Sequence, residues 1–417
     1  MIKSVKSIQK LSLLLAVFFL PNHLNFNNIF LVVFIIISVG LILLDKREKK
    51  IKSLNKSIGP IIILSLPFLL NLFGLLYSQN LPLAIDYNIR AIPFFVLPII
   101  AITNRSLFRK QFKSIGLALV LGCLASALVS WTWAINDILQ SKRMFSDFIG
   151  PLYTHHRAVQ FLNLHPTYLS ICIYTSIGFI IRFYYTFSNS TKRFLFCVAI
   201  IIGLFMLQLL SRNALIYSIL FAGGYLLLNR QWKSLSYSII LLVLLGLAVN
   251  SIKHNFLRDR LFKSLNLFEK ATNFSKKDDR FDRLSASFEI FSKSPIYGHG
   301  TASEDPLRLE VFKRNKDNIA YEENYNAHNQ FFEYLSTFGL VGGICYLLFF
   351  GYLFIEVIKQ NNGFLIFLVL GLFMASITES IFERSQGVVY SALLSSIVVS
   401  CFSQTNSNKH DKSSLQE

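Results

Sequence analysis

Four arginines, two histidines and a glutamate in this 417-residue chain stand where they could do chemistry. His328 lies in "YEENYNAHNQFF", between a long polar segment and the start of a very apolar one. Histidine titrates near neutral pH, so an imidazole at such a seam can take a proton from a hydroxyl. Asn326 or Asn329 could cap the helix that follows. Arg212, in "LQLLSRNALIYSIL", lies in a connection of a few residues between two apolar runs. A charge at membrane depth costs about 2.5–3.5 kcal/mol on insertion scales and marks function by default. The alternative is an interfacial arginine snorkelling to headgroups. Arg280 and Arg283 lie one helical turn apart at the start of "RFDRLSASFEIFSKSPIYGHG", where the alternative is a solvated basic face. Arg90, in "DYNIRAIPFF", is a further candidate. His165, in "LHPTYLS", begins an apolar run as His328 does, and a hydrogen-bonded helix-start histidine is the plainer account of it. Glu379, in "SITESIFERSQG", is a carboxylate at the end of another run. It would orient a basic neighbour, either an arginine or His328. His155, His156 and His299 read as solvated.

Arginine's planar fork fits phosphate oxygens two at a time and stays charged at any relevant pH. Several arginines and a histidine at the edges of apolar helices suit an amphiphilic substrate with a lipid tail and an anionic head. Other chemistries lack their signatures. There is no GxxxxGK[ST] loop, so the chain is not itself an ATPase. No HExxH or CxxC pattern is present, which removes the common zinc sites, and no Asp-x-Asp pair occurs. Neither a metal nor a cofactor is expected. Cys123, Cys172, Cys197, Cys345 and Cys401 all lie in or at the edge of apolar runs and read as small buried hydrophobes.

The elements that carry these residues are helices in a membrane. Hydrophobic residues make up 53% of the chain and charged residues 15%, against about 25% charged in soluble domains. Apolar runs recur that are long enough to cross a bilayer core of about 30 Å, and in lipid such runs must be helical. The sequence predicts an all-α polytopic membrane protein of about twelve spans, at 8–21, 28–44, 59–77, 89–103, 114–135, 165–184, 194–210, 213–228, 235–250, 335–358, 363–381 and 387–402. The basic start and short apolar run of the N-terminus resemble a signal peptide, but no small-x-small cleavage site follows, so an uncleaved first span is expected. The formal net charge of +18 does not point to nucleic acid, because Lys and Arg concentrate in short connections such as 45–56, 104–113, 190–193 and 229–233. By the positive-inside pattern these face the cytoplasm, as do both termini. Residues 1–402 read as a single domain, with an extra-cytoplasmic loop at 251–334 between spans nine and ten and a disordered tail at 403–417. Loops of that length are usually functional. Within it, 256–270 reads as an amphipathic helix lying on the membrane. Phe281, Leu284, Phe288 and Phe291 make a second apolar stripe before a Ser-Pro turn and two glycines.

The fragments "HPTYLS" (165–170), "SRNA" (211–214), "RFDRLSASFEIFSKSPIYGHG" (280–300), "AHNQFFEYLSTFGLVGG" (327–343) and "TESIFERSQG" (378–387) occur in an order that resembles the O-antigen ligase and polymerase superfamily of bacterial envelope glycosyltransferases. The resemblance covers roughly 160–395. It implies about twelve spans in the inner membrane, a large periplasmic loop, and an active site facing the periplasm. It also implies transfer of a glycan from an undecaprenyl-diphosphate carrier to an acceptor hydroxyl. That acceptor is lipid A–core, another carrier-linked glycan, or, in some relatives, a protein Ser or Thr. On matching positions Arg212 and Arg280 would hold the diphosphate and His328 would activate the hydroxyl, with Arg283, Arg90, His165 and Glu379 as further substrate-site residues. The family often has an aromatic residue four positions after the loop arginine. Here that position is Leu284 counting from Arg280, or Ser287 counting from Arg283, while the length back from Gly298 favours Arg280. His299 replaces the small apolar residue usual between the two glycines. A twelve-span transporter is the competing reading, but a large loop after span nine breaks the expected six-plus-six symmetry. A membrane scaffold is the third.

Overall fold

The computed structural model describes residues 2–44, 57–228 and 279–402, with isolated positions at 230, 232, 236 and 240. All regular structure among the described residues is helical. In chain order the helices are α1 (Ile2–Phe19), α2 (Leu24–Leu44), α3 (Ile58–Leu64), α4 (Leu66–Leu75), α5 (Leu81–Thr103), α6 (Arg105–Gln140), α7 (His156–Val159), α8 (Pro166–Phe183), α9 (Asn189–Leu209) and α10 (Arg212–Leu228). After the undescribed stretch come α11 (Asp279–Lys293), α12 (Glu304–Arg314), α13 (Asn318–Glu322), α14 (Gln330–Lys359), α15 (Gly363–Thr378) and α16 (Ser385–Phe402).

Among the described residues six helices are long and apolar enough to cross a membrane: Leu24–Leu44, Leu81–Thr103, Arg105–Gln140, Pro166–Thr186, Asn189–Leu209 and Gln330–Lys359. The pair α3 and α4 adds a seventh if counted as one broken span. Its 62° bend falls at Ser65, where Pro67 in the first turn of α4 removes a backbone donor. The described residues are all-helical with six candidate membrane spans, and twelve spans are not found among them. The expected first span is α1, which carries Lys3, Lys6 and Lys10. The eighth is α10, of 17 residues. Gly363–Thr378 and Ser385–Cys401 are shorter apolar helices. The ninth span apart from its isolated positions, the helix expected at 256–270 and the tail from 403 lie outside the described residues.

The chain forms two compact units. One comprises Met1–Ser12, Leu31–Phe112 and Ala271–Lys409. In it α5 packs along α4 and α16, and α14 packs against α4, α11 and α15. Phe94, Phe349 and Phe382 interlock at ring separations of 4.9–5.9 Å. The second comprises Leu13–Phe30, Lys113–Lys270 and His410–Glu417, and there α8 packs against α9 and α10.

A break in α14 fixes the 295–301 stretch to the first unit. Gly339 has φ +64° and ψ −152°, so the helix unwinds there. The freed groups need partners, since an apolar surrounding offers no water. Leu340 N–H donates to Pro295 O at 2.8 Å, and Val341 N–H to Ile296 O at 3.3 Å. In return His299 and Gly300 N–H donate to Thr337 O at 2.9 and 3.0 Å. The two backbones touch, so a Cβ on Gly298, itself at φ +67°, would collide with the Thr337 carbonyl, and one on Gly339 would meet Ile296 O at 2.5 Å. Tyr77 Oη and Thr301 Oγ1 extend the seam, donating to Tyr297 O at 2.6 Å and Asn71 O at 2.9 Å.

On α11 the buried residues are Arg283, Ala286, Ser287 and Ile290, with Ala286 and Ile290 packed on Val311, Phe312 and Ala320, while Phe288 of the apolar stripe is 56% exposed. One expectation needs correction: not all five cysteines are buried, since Cys197 is exposed and Cys345 partly so, and none is in a disulfide.

Gly298→Ala and Gly339→Ala should each destabilise the protein by more than the roughly 1–2 kcal/mol of a left-handed residue with a Cβ, because backbone collision adds to it. Gly203→Ala, where a Cβ meets open space, serves as the neutral control. Thermal unfolding of the purified protein in detergent checks all three.

Candidate functional site

The start of α14 and the end of α15 are tied by one side chain. Asn329 caps α14, its Oδ1 accepting Phe331 N–H at 3.0 Å and Phe332 N–H at 3.2 Å. Its Nδ2 donates to Ile377 O at 2.9 Å. This brings His328, just before the cap, beside Glu379, just after α15. His328 Nδ1 lies 3.2 Å from Glu379 Oε2. The imidazole is 25% exposed while the carboxylate is 7% exposed. His328 is in the left-handed region at φ +48°, and Asn326 Oδ1 accepts its N–H at 3.0 Å. Non-glycine residues held there store about 1–3 kcal/mol of strain, which clusters at working sites. A neutral ring with its proton on Nδ1, facing Glu379, presents the bare lone pair of Nε2.

An arginine reaches the same place through an aromatic ring. Tyr325 packs edge-on to His328 at 5.7 Å, and Arg283 Cζ lies 4.0 Å from the Tyr325 ring centroid. The first unit therefore gathers His328, Glu379 and Arg283. Arg280 lies three residues earlier on α11; its side chain is outside the described residues. Arg90 is engaged otherwise, donating to Glu383 O at 3.1 Å and Asp86 O at 3.3 Å and lying 4.4 Å from the Tyr87 ring centroid.

Beneath this group lies a buried charge network that the sequence did not suggest. Arg308, 2% exposed, bonds to Glu333 and, at 3.4 Å, to Asp305. Glu333, 1% exposed, accepts Ala327 N–H at 2.9 Å and Ser380 Oγ–H at 3.0 Å on Oε2. Oxygens of Glu304, Asp305 and Glu333 lie within 4.8 Å of one another, a spacing that could hold a metal ion. Arg308 already bonds to two of these three carboxylates, so a guanidinium supplies the cation there. Burial, then the neighbouring Asp305 charge, pushes the Glu304 carboxyl well above the usual range. Asp305 is raised chiefly by burial. Burial, with the charges of Glu333 and Asp305, pushes Glu383 up to about 8. Burial alone would lower Arg308, but Glu333, Glu304 and Asp305 override it, and the guanidinium stays charged.

Signals for these residues exist in the sequence. Glu333 is an ionisable residue a few positions into an apolar run, which marks function by default. Glu304 and Arg308 stand at i,i+4, a pattern shared with solvated helices and so easily read as one.

In the second unit His165 is at the start of α8 with no capping bond from its side chain. Its ring lies 4.6 Å from that of His156, which lies 4.3 Å from that of His155. These three histidines form one edge-to-face series, with interplanar angles of 76° and 72°. Gln208 holds the neighbourhood, accepting Trp131 Nε1–H at 2.7 Å and donating to Tyr153 O at 2.8 Å. Its backbone carbonyl accepts His155 N–H at 3.0 Å. Two residues later Leu210 turns through φ +54°, and Arg212 opens α10.

A carboxyl raised in the folded state keeps a proton that the unfolded chain has released, so stability falls as pH rises through the gap. Thermal stability should therefore decline from about pH 4.5 to about 8 and then level. Glu383→Gln should reduce that slope, as read by unfolding scans across pH.

Residues 195–347 match the O-antigen ligase family. This is narrower than the 160–395 resemblance, and it includes Arg212, Arg280, Arg283, His328 and Glu333 but not Glu379. No curated protein matches the chain. The family match supports glycan transfer of the O-antigen ligase type as the general activity, and with it an O-antigen ligase/polymerase superfamily assignment.

Proposed function

We propose that this protein transfers a glycan from an undecaprenyl-diphosphate carrier to an acceptor hydroxyl, as a ligase onto lipid A–core or as a polymerase onto another carrier-linked glycan. The observation that carries the reading is the partly exposed His328 ring held between Glu379 and Tyr325, with Arg283 against the same tyrosine. His328 takes the proton from the acceptor hydroxyl, a poor nucleophile that a positioned base activates by about 10²–10⁴-fold. The oxygen then attacks the anomeric carbon from the face opposite the diphosphate, and the configuration inverts. The carrier diphosphate leaves as a stable anion and needs no general acid. It does need fixed positive charge where negative charge grows. Arg280 and Arg283 on α11 provide arginines for this role in the first unit. Arg212 keeps the diphosphate-binding role that the resemblance gives it, and Arg90 and His165 stay as substrate-site residues on the same ground. The scheme uses no metal and no cofactor. Location in the bacterial inner membrane, with the site facing the periplasm and both termini in the cytoplasm, belongs to the same reading.

The test is transfer by the purified protein in lipid nanodiscs, given a polyprenyl-diphosphate oligosaccharide and, separately, lipid A–core, further donor, or a Ser/Thr-bearing protein. Mass spectrometry should show glycan on lipid A–core or a lengthened carrier-linked glycan, with free carrier diphosphate in step. Glycan on the protein alone would move the assignment to protein O-glycosylation. No product from any acceptor, with donor bound, would overturn transfer in favour of transport.

A further inference from the structure

The His328–Glu379 pair is built from two separate stretches of chain, and one carboxylate oxygen holds both. Glu333 Oε2 accepts the N–H of Ala327, the residue before His328, at 2.9 Å. The same oxygen accepts the hydroxyl of Ser380, the residue after Glu379, at 3.0 Å. Its other oxygen is bonded to Arg308. We propose that Glu333 is a positioning residue for the His328–Glu379 pair, setting the distance between imidazole and carboxylate by clamping the backbone on one side and the adjacent serine on the other. This rests on the reading of His328 as the base.

The chemistry of the clamp explains its composition. Both oxygens of Glu333 accept, one from Arg308 and the other from Ala327 N–H and Ser380 Oγ–H, so an amide in its place would set a donor against a donor on one side. The Glu333 side chain, 1% exposed, bonds to Arg308, 2% exposed, so each buried group has the other as its partner. Arg308 reaches from α12, so the clamp also joins the 304–314 helix to the residues that carry the pair. Asn329 adds a second tie between the same stretches through Ile377 O. That bond caps a helix and sets the approach of α14 and α15; Glu333 acts one residue from each member of the pair. A shift of about 1 Å at a reacting group can cost about 10²-fold in rate.

The test uses the full-length protein in nanodiscs with two readouts. One is the ring-nitrogen resonance of His328 in ¹⁵N-histidine-labelled protein, assigned by its loss in His328→Gln. The other is steady-state transfer. Glu379→Gln defines the resonance of a ring without its partner. Glu333→Gln should move the His328 resonance toward that position, lower kcat at least tenfold, and leave the donor KM within about threefold. Ser380→Ala cuts one arm of the clamp and keeps the Arg308–Glu333 pair, so it should give a smaller shift and a smaller loss of kcat. If Glu333→Gln is folded and both readouts match the wild type, the proposal is overturned. If Glu333→Gln does not fold, Ser380→Ala decides, and a wild-type resonance there overturns it. If the wild type transfers nothing, the base reading fails on its own, while a shifted resonance still supports the clamp.

Discussion

A guanidinium and a carboxylate buried side by side, Arg308 and Glu333, hold the first unit's working end together. Each would be costly alone, since removing one partner of a buried pair typically costs about 3–5 kcal/mol. Together they join α12 to α14, and the second oxygen of Glu333 is left free to organise backbone. The surplus of carboxylates around Arg308 has a consequence of its own. Burial, with the charges of neighbouring carboxylates, pushes the Glu304, Asp305 and Glu383 carboxyls upward.

The pair depends in turn on the crossing at Gly339. The broken turn of α14 and the 295–301 stretch satisfy one another's backbone groups, and two glycines with positive φ allow that approach. This fixes the segment between α11 and α14 against α14 itself, so Arg308 has a defined place from which to reach Glu333. The strained His328 backbone is tolerated because Asn326, Asn329 and Glu333 over-determine it.

Much of this was legible in the chain. Apolar runs too long for anything but helix announced the fold class, and polar residues at run edges announced His328 and Glu379. Asn329 was readable as one of two possible caps because capping is local chemistry. The span count was less legible, since hydropathy alone does not show that Pro67 bends one run or that Lys3, Lys6 and Lys10 load another. The buried face of α11 was not legible, because Ala286 and Ile290 pack on Val311, Phe312 and Ala320, which belong to helices later in the chain. The Arg308–Glu333 pair was invisible for a different reason: its members are 25 residues apart in sequence, on separate helices that meet only in the folded chain. Gln208 and the edge-to-face histidines in the second unit share that non-local origin.

Single-turnover transfer by His328→Ala in nanodiscs, with donor binding measured separately on the same sample, tests the central claim most directly. Proton removal by His328 predicts donor affinity within about threefold of wild type and a transfer rate lower by about 10²-fold or more. A transfer rate that survives the substitution would contradict the account, and the imidazole would then be a packing residue at the head of α14.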